Sequence, residues 1–177
     1  MPKLVTNNRK QNLEKIEELF LERLKSEGIT EALMGKMVKT FYGTAPWYSA
    51  RSRKAQKSRR QMFYYMGHSL LLLCKKHSIP TKAGFVYAVT NKTFPNCVKL
   101  GHTKDCEDRL MQYQTHSPLK DYEMTWQQFT LDSYAAEQKL LSLFERIRPN
   151  GEWVSLQTED TLKLKQLLNK SFKSLSY

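Results

Sequence analysis

The chain has 177 residues, 40% hydrophobic and 26% charged, with a formal net charge of +12. That is enough apolar content for one ordinary domain or two small ones with buried cores. No run approaches the roughly 20 apolar residues that cross a bilayer, and the first residues lack the apolar core of a signal peptide, so no membrane partner and an intracellular, cytoplasmic location are expected.

Three cysteines (Cys74, Cys97, Cys106), an odd count without a Cys-x-x-Cys pair, argue against a disulfide framework and a zinc ribbon. A zinc site assembled from Cys97, His102, Cys106 and His116 is disfavoured. Strand side chains alternate, so Cys97 and His102, five apart, should point to opposite faces. The positive charge is unevenly placed: residues 1–80 carry sixteen Lys and Arg against six Asp and Glu, and residues 81–177 thirteen against eleven. One half thus has the character of a polyanion binder, the other that of a more selective module.

In chain order, Ile16, Phe20 and Leu24, with Leu13 and Leu19 beside them, predict an amphipathic helix between Asn7/Asn8 and Gly28. A second helix starts at Thr30, carries Leu33, Met34, Met37, Val38 and Phe41 on one face, and stops at Gly43. Pro46 suits the first turn of a third, running from Trp47 to about His77. Its stretch Arg51 to Arg60 holds six cations (Arg51, Arg53, Lys54, Lys57, Arg59, Arg60) and no acid. Such a segment cannot pack into a core. Flanked by Trp47/Tyr48 and Phe63/Tyr64/Tyr65, which can anchor it or stack on bases, it is assigned to phosphate-backbone binding with a strong salt dependence. Leu70 to Leu73 pack against the first two helices, and 78–83 form a linker.

In the second half, Phe85, Tyr87 and Val89 alternate with Val86 and Ala88 as a strand. A turn-rich stretch, 91–96, leads to a partner strand from Cys97 to about Thr103. One face of this hairpin is core; the other presents Tyr87 and Lys99, and at Gly101 the bare backbone allows close approach by a ligand or a helix. Thr103 or Asp105 caps the next helix, with Cys106, Leu110 and Tyr113 inward and Arg109 toward another side. Tyr122 to Leu131 is a third strand. Asp132 or Ser133 starts a helix through Ile147, with Ala136, Leu140, Leu143 and Ile147 on one stripe and Glu137 beside Leu141 and Phe144. Pro149-Asn150-Gly151 is a turn, 152–156 a short extended piece, and Thr158 caps a last helix through about Phe172.

The order Gly-x-Val-Tyr (84–87), Val-Lys-Leu-Gly-x-Thr (98–103), Lys-Asp-x-x-x-Arg-Leu (104–110), Ala-Ala-Glu ending at Glu137, and Gly-Glu-Trp (151–153) resembles a GIY-YIG nuclease domain over about residues 84–156. It is most similar to the branch of phages and large DNA viruses whose second motif reads Lys-Ile-Gly. The resemblance implies a three-stranded antiparallel sheet flanked by helices and a single Mg²⁺ or Mn²⁺ held by a glutamate. Carried over motif by motif, Tyr87 is the first-motif tyrosine, Lys99 stands at the second tyrosine, Gly84 and Gly101 are the structural glycines, Arg109 is the helix arginine, Glu137 the metal-binding carboxylate, and Tyr113 an assisting group. Leu141 stands where close relatives often carry a histidine, and the family's late asparagine has no fixed counterpart, Asn150 being the candidate.

Elementary chemistry asks for the same types. Phosphodiester hydrolysis needs a base near the attacking water, charge stabilisation at the pentavalent phosphorus and help for the departing oxygen. A tyrosine serves as base only if cations lower its pKa, a task open to Lys99 and Arg109. The expectation is therefore an α+β protein with two domains: a helical, basic DNA-binding module (1–79) and a GIY-YIG-like nuclease domain (80–177). It would cut DNA, double-stranded in the first place with RNA as the alternative to DNA, in homing or DNA processing, within the host cell if phage or viral. The alternative is a catalytically inactive DNA-binding or regulatory protein on the same scaffold. Composition does not fix the oligomeric state.

Overall fold

The structure is a computed structural model that describes residues 7–43, 53–148, 151–157, 160 and 163–174, with side chains described over 13–41, 43, 61–148, 151–157, 160 and 163–171. It divides into two compact units, one up to Thr81 and one from Lys82.

The first unit is helical: α1 (Asn7–Glu27), α2 (Glu31–Tyr42) and α3 (Arg53–Lys76). The α2 start is set by Thr30, whose Oγ1 accepts the Leu33 N–H at 3.1 Å, and its end by Gly43 in the left-handed region, φ 61°. Ile16, Phe20 and Leu24 of α1, Leu33, Met34, Met37 and Val38 of α2, and Phe63, Met66, Leu70, Leu71 and Leu73 of α3 are buried. Leu19, expected beside the α1 stripe, is 50% exposed, because one position off an i, i+4, i+8 row turns a side chain to solvent. Glu17 joins α1 to the end of α3 by accepting from Lys76 Nζ at 2.8 Å, with His77 Nε2 at 2.6 Å. Buried Phe63 is a scaffold anchor, not a platform for bases. Pro46, Trp47, Tyr48 and Arg51 lie outside the described residues, as do the side chains of Arg53, Lys54, Lys57, Arg59 and Arg60 on α3.

The second unit is α+β. Its antiparallel sheet has the order β3-β1-β2-β4, from β1 (Gly84–Asn91), β2 (Cys97–Thr103), β3 (Tyr122–Thr130) and β4 (Trp153–Ser155). Three strands were expected; the fourth arises because the extended piece after Gly151 pairs Trp153 with Lys99 and Ser155 with Cys97, sinking Val154 into the core. Helix α4 is Cys106–Thr115, α5 Ser133–Leu143 and α6 Leu164–Ser174. Val86, Ala88, Val98, Leu100 and Trp126 on one sheet face form a core with Leu140, Leu141 and Phe144 and with Leu164 and Leu168.

Two expectations are corrected here. The face of β1 carrying Tyr87 is not an open polar face: Phe85, Tyr87 and Val89 are buried, since β1 is central and Phe85 packs on Phe129 while Tyr87 packs on Tyr113. Nor does α5 run to Ile147; it stops at Leu143 and a 3₁₀ turn, Glu145–Ile147, follows. That break leaves Leu143 and Ile147 exposed, and the buried stripe of α5 is Glu137, Leu140 and Leu141, continued by Phe144. Asn150 and the Thr158 cap lie outside the described residues.

Candidate active site

Antiparallel register sets Tyr87 opposite Gly101. A Cβ built at Gly101 would stand 2.5 Å from the Tyr87 Oη and 2.6 Å from its Cζ. The room left by the glycine is thus taken by the phenol of the facing tyrosine, rather than being open to a ligand or a helix. Asp105 caps α4 by accepting the N–H groups of Glu107 and Asp108. This fixes the helix that returns Tyr113 to the strand, where its hydroxyl is 2.9 Å from that of Tyr87. Burial, then the Tyr113 hydrogen bond, push the Tyr87 phenol above its ordinary value, and Arg109 only partly opposes them. The expected lowering by cations is outweighed, because a phenolate at 2% exposure loses its hydration.

Lys99 projects from β2 with its Nζ 3.3 Å from Glu152 Oε2, 5.6 Å from the Tyr113 ring centre and 5.8 Å from that of Trp153. Glu152 is held there because Gly151 adopts φ 52° and the Glu152 carbonyl accepts the Leu100 N–H at 2.9 Å, pinning the turn to β2. Arg109 is expected on another side of α4 than Cys106, Leu110 and Tyr113, and as a cation near Tyr87. Its Nε is buried without a hydrogen-bond partner among the described residues, within electrostatic reach of Tyr87. Asp105, the acid one turn earlier, is engaged as the helix cap. A buried guanidinium N–H without an acceptor is costly in the free protein and suits an incoming anion.

Glu137 comes from the other helix. Gly84 lets the start of α5 press against the sheet: a Cβ there would lie 2.7 Å from both Ser133 Oγ and the Thr103 carbonyl oxygen. Asp132 caps α5 through the Ala135 N–H at 2.9 Å, and Glu137, one turn on, is 5% exposed. Its carboxylate accepts from Gln138 Nε2 at 3.3 Å and from the His102 backbone. Its Oε2 is 3.8 Å from His102 Nδ1, which is buried with no hydrogen-bond partner among the described residues. Tyr134 packs on the His102 ring at 5.7 Å. Burial raises the Glu137 pKa, His102 counters, and Glu152 adds to the rise.

Glu152 therefore acts on both Tyr87 and Glu137, and Tyr87, Lys99, Arg109, Tyr113 and Glu137 belong to one neighbourhood. A buried acid whose charged form desolvation disfavours, with a second acid in electrostatic reach and an imidazole nitrogen without a hydrogen-bond partner among the described residues alongside, offers donors that a divalent cation could use. Among the described residues no group of three His, Cys, Asp or Glu gathers on one point, so the donors here would leave most positions of an ion to phosphate oxygens and water. His102 and Glu152 were missed as site residues in the sequence. Glu152 was signalled by the Gly-Glu-Trp turn; His102 had only its place after Gly101.

Residues 84–169 match the family model of the T5orf172 domain, from the glycine that opens β1 into α6. This points to a phage-type, DNA-related protein. No curated protein and no solved structure matches the chain.

Proposed function

We propose that the second unit is a GIY-YIG-like endonuclease domain that hydrolyses DNA phosphodiester bonds with a single Mg²⁺ or Mn²⁺, and that the first unit is a basic DNA-binding module. The observation that carries this reading is the shared influence of Glu152 on Tyr87 and Glu137, which come from a strand and a helix 50 residues apart in sequence. The T5orf172 match supports the DNA-related, phage-type setting.

In this reading Glu137 would hold the metal. When bound, the ion would draw charge from the phosphate oxygens and ease attack at phosphorus. Tyr87 enters the reaction as a neutral phenol, since burial and Tyr113 keep its proton on, and it orients the attacking water by hydrogen bonding. The Arg109 Nε–H, lacking an acceptor among the described residues, donates to a non-bridging phosphate oxygen as negative charge builds there. Lys99, held by Glu152, is the ammonium beside the phosphate that stabilises the departing oxygen.

Supercoiled plasmid incubated with the full chain and Mg²⁺ or Mn²⁺ tests the reading. Nicking that disappears with a chelator and with Glu137→Ala supports it. DNA binding without nicking in either metal assigns the inactive, regulatory role instead.

A further inference from the structure

The geometry points to His102 as a second protein donor to the metal, through Nδ1, so that the site is a mixed imidazole–carboxylate pair that prefers a first-row transition ion such as Mn²⁺ over Mg²⁺. This rests on the nuclease reading and deepens it, since a site built on Glu137 alone would offer oxygen only.

Three observations converge. The first is the orphan atom: His102 Nδ1 is buried with no hydrogen-bond partner among the described residues. Buried polar atoms without partners are uncommon and mark unfilled ion or water sites. The second is the spacing. An Nδ1–H aimed at a carboxylate closes to about 2.8 Å, yet Nδ1 and Glu137 Oε2 stand 3.8 Å apart without a bond. Nδ1 is therefore not engaged by Glu137, and in the neutral imidazole with its ring proton on Nε2, the form that binds metals, its lone pair is free for an ion. Metal–nitrogen and metal–oxygen bonds of about 2.1 Å place two donors on one ion roughly 3 to 4 Å apart, which this separation meets. The third is support: Tyr134 packs on the imidazole, and the His102 backbone bonds the Glu137 carboxylate, so the two donors are fixed to one another.

The chemical consequence follows from donor hardness. Mg²⁺ takes oxygen ligands almost exclusively, whereas imidazole nitrogen adds affinity for first-row transition ions. The open positions of the ion remain for the phosphate and water.

The test uses the full-length chain stripped of metal and titrated with MnCl₂ while the spin-resonance signal of free Mn²⁺ is read, with Mg²⁺ followed by calorimetry. The expected result is tighter binding of Mn²⁺ than of Mg²⁺ and electron-spin-echo modulation from a directly bound nitrogen in the wild-type chain. His102→Gln should weaken Mn²⁺ binding by about tenfold or more, lose the nitrogen modulation and leave Mg²⁺ binding nearly unchanged. Wild-type bound Mn²⁺ without nitrogen modulation overturns the inference whatever the variant does, and so does a His102→Gln chain that binds Mn²⁺ as tightly as wild type; both results leave Glu137 as metal holder. Mn²⁺ binding unchanged in Glu137→Gln removes Glu137 from the site and overturns the nuclease reading together with this one.

Discussion

The Tyr87 phenol occupies the space in which a Gly101 side chain would stand, 2.5 Å from the position of its Cβ. The glycine of the second motif is thereby explained by the tyrosine of the first: two sequence signals separated by a loop are one packing event. A tyrosine whose ring tip lies over its cross-strand neighbour keeps its hydroxyl bonded to Tyr113 and within electrostatic reach of Glu152.

Gly101→Ala should accordingly force the Tyr87 ring out of place. The expected cost is about 1–3 kcal/mol of stability, typical of overpacking, together with loss of nicking. In a Tyr87→Ala background the same substitution should cost much less, so a double-mutant cycle by denaturant unfolding reads the coupling directly. Additive effects would separate the two residues.

Tyr87→Phe and Tyr113→Phe each delete one hydroxyl of the same 2.9 Å hydrogen bond. Their stabilities should fall alike, by about 1 kcal/mol. Nicking rates should not: the loss is expected to reach about 100-fold or more for Tyr87→Phe, in the range for a group that positions the attacking water, and to be several times smaller for Tyr113→Phe. Equal losses would place the two hydroxyls in one role.

Glu137→Gln should abolish nicking while leaving the metal-free fold as stable as wild type or more so. Burial disfavours the carboxylate's charged form, and an amide of the same shape removes that cost. Thermal melts in chelator check it, and a large drop in melting temperature would mark Glu137 as a structural residue.

Asp121 governs a pH dependence at the far end of the sheet. It accepts from Ser117 Oγ at 2.7 Å, Asn91 Nδ2 at 2.9 Å and Thr93 Oγ1 at 3.0 Å, joining the end of β1 to the turn before β3. The Ser117 bond leads the contributions that hold its pKa below the ordinary value. A carboxylate with a lowered folded pKa stabilises above its unfolded value and loses that contribution as pH falls through the folded one. Asp121→Asn should thus be less stable than wild type at neutral pH, and the difference should close below about pH 4. Urea melts from pH 7 to 3 measure the gap.

The basic run of α3 predicts a salt effect. If Arg53, Lys57 and Arg60 contact phosphates, replacing all three by alanine should reduce the slope of log affinity against log salt by up to roughly 3, without altering sequence preference. An unchanged slope in fluorescence-anisotropy titrations would assign the run to another partner.

Helix ends were legible where caps are local. Thr30, Gly43, Asp105 and Asp132 act within three or four residues of themselves, and the structure places them at the ends that the sequence indicated. The strands at 84–91 and 97–103 were legible from alternation. Less so was anything set by a neighbour distant in sequence: the fourth strand needs the free edge of β2, and the full burial of Tyr87 needs α4 laid over its face. The α5 stripe failed as read because its pattern continues past Phe144 while the helix does not.

At the site the same division holds. The sequence by itself determined which chemical groups are present and their order, because motif spacing is a property of the chain: a tyrosine, a lysine, an arginine and a glutamate on successive elements. Only the tertiary structure decided their electrostatic states and company. It buries Tyr87 deeply enough to raise its pKa against the nearby Arg109, leaves the Arg109 Nε without an acceptor among the described residues, and brings Glu152 and His102 to Glu137. Desolvation and charge–charge energies depend on distances through space and on what excludes water, and neither quantity is written in the order of residues.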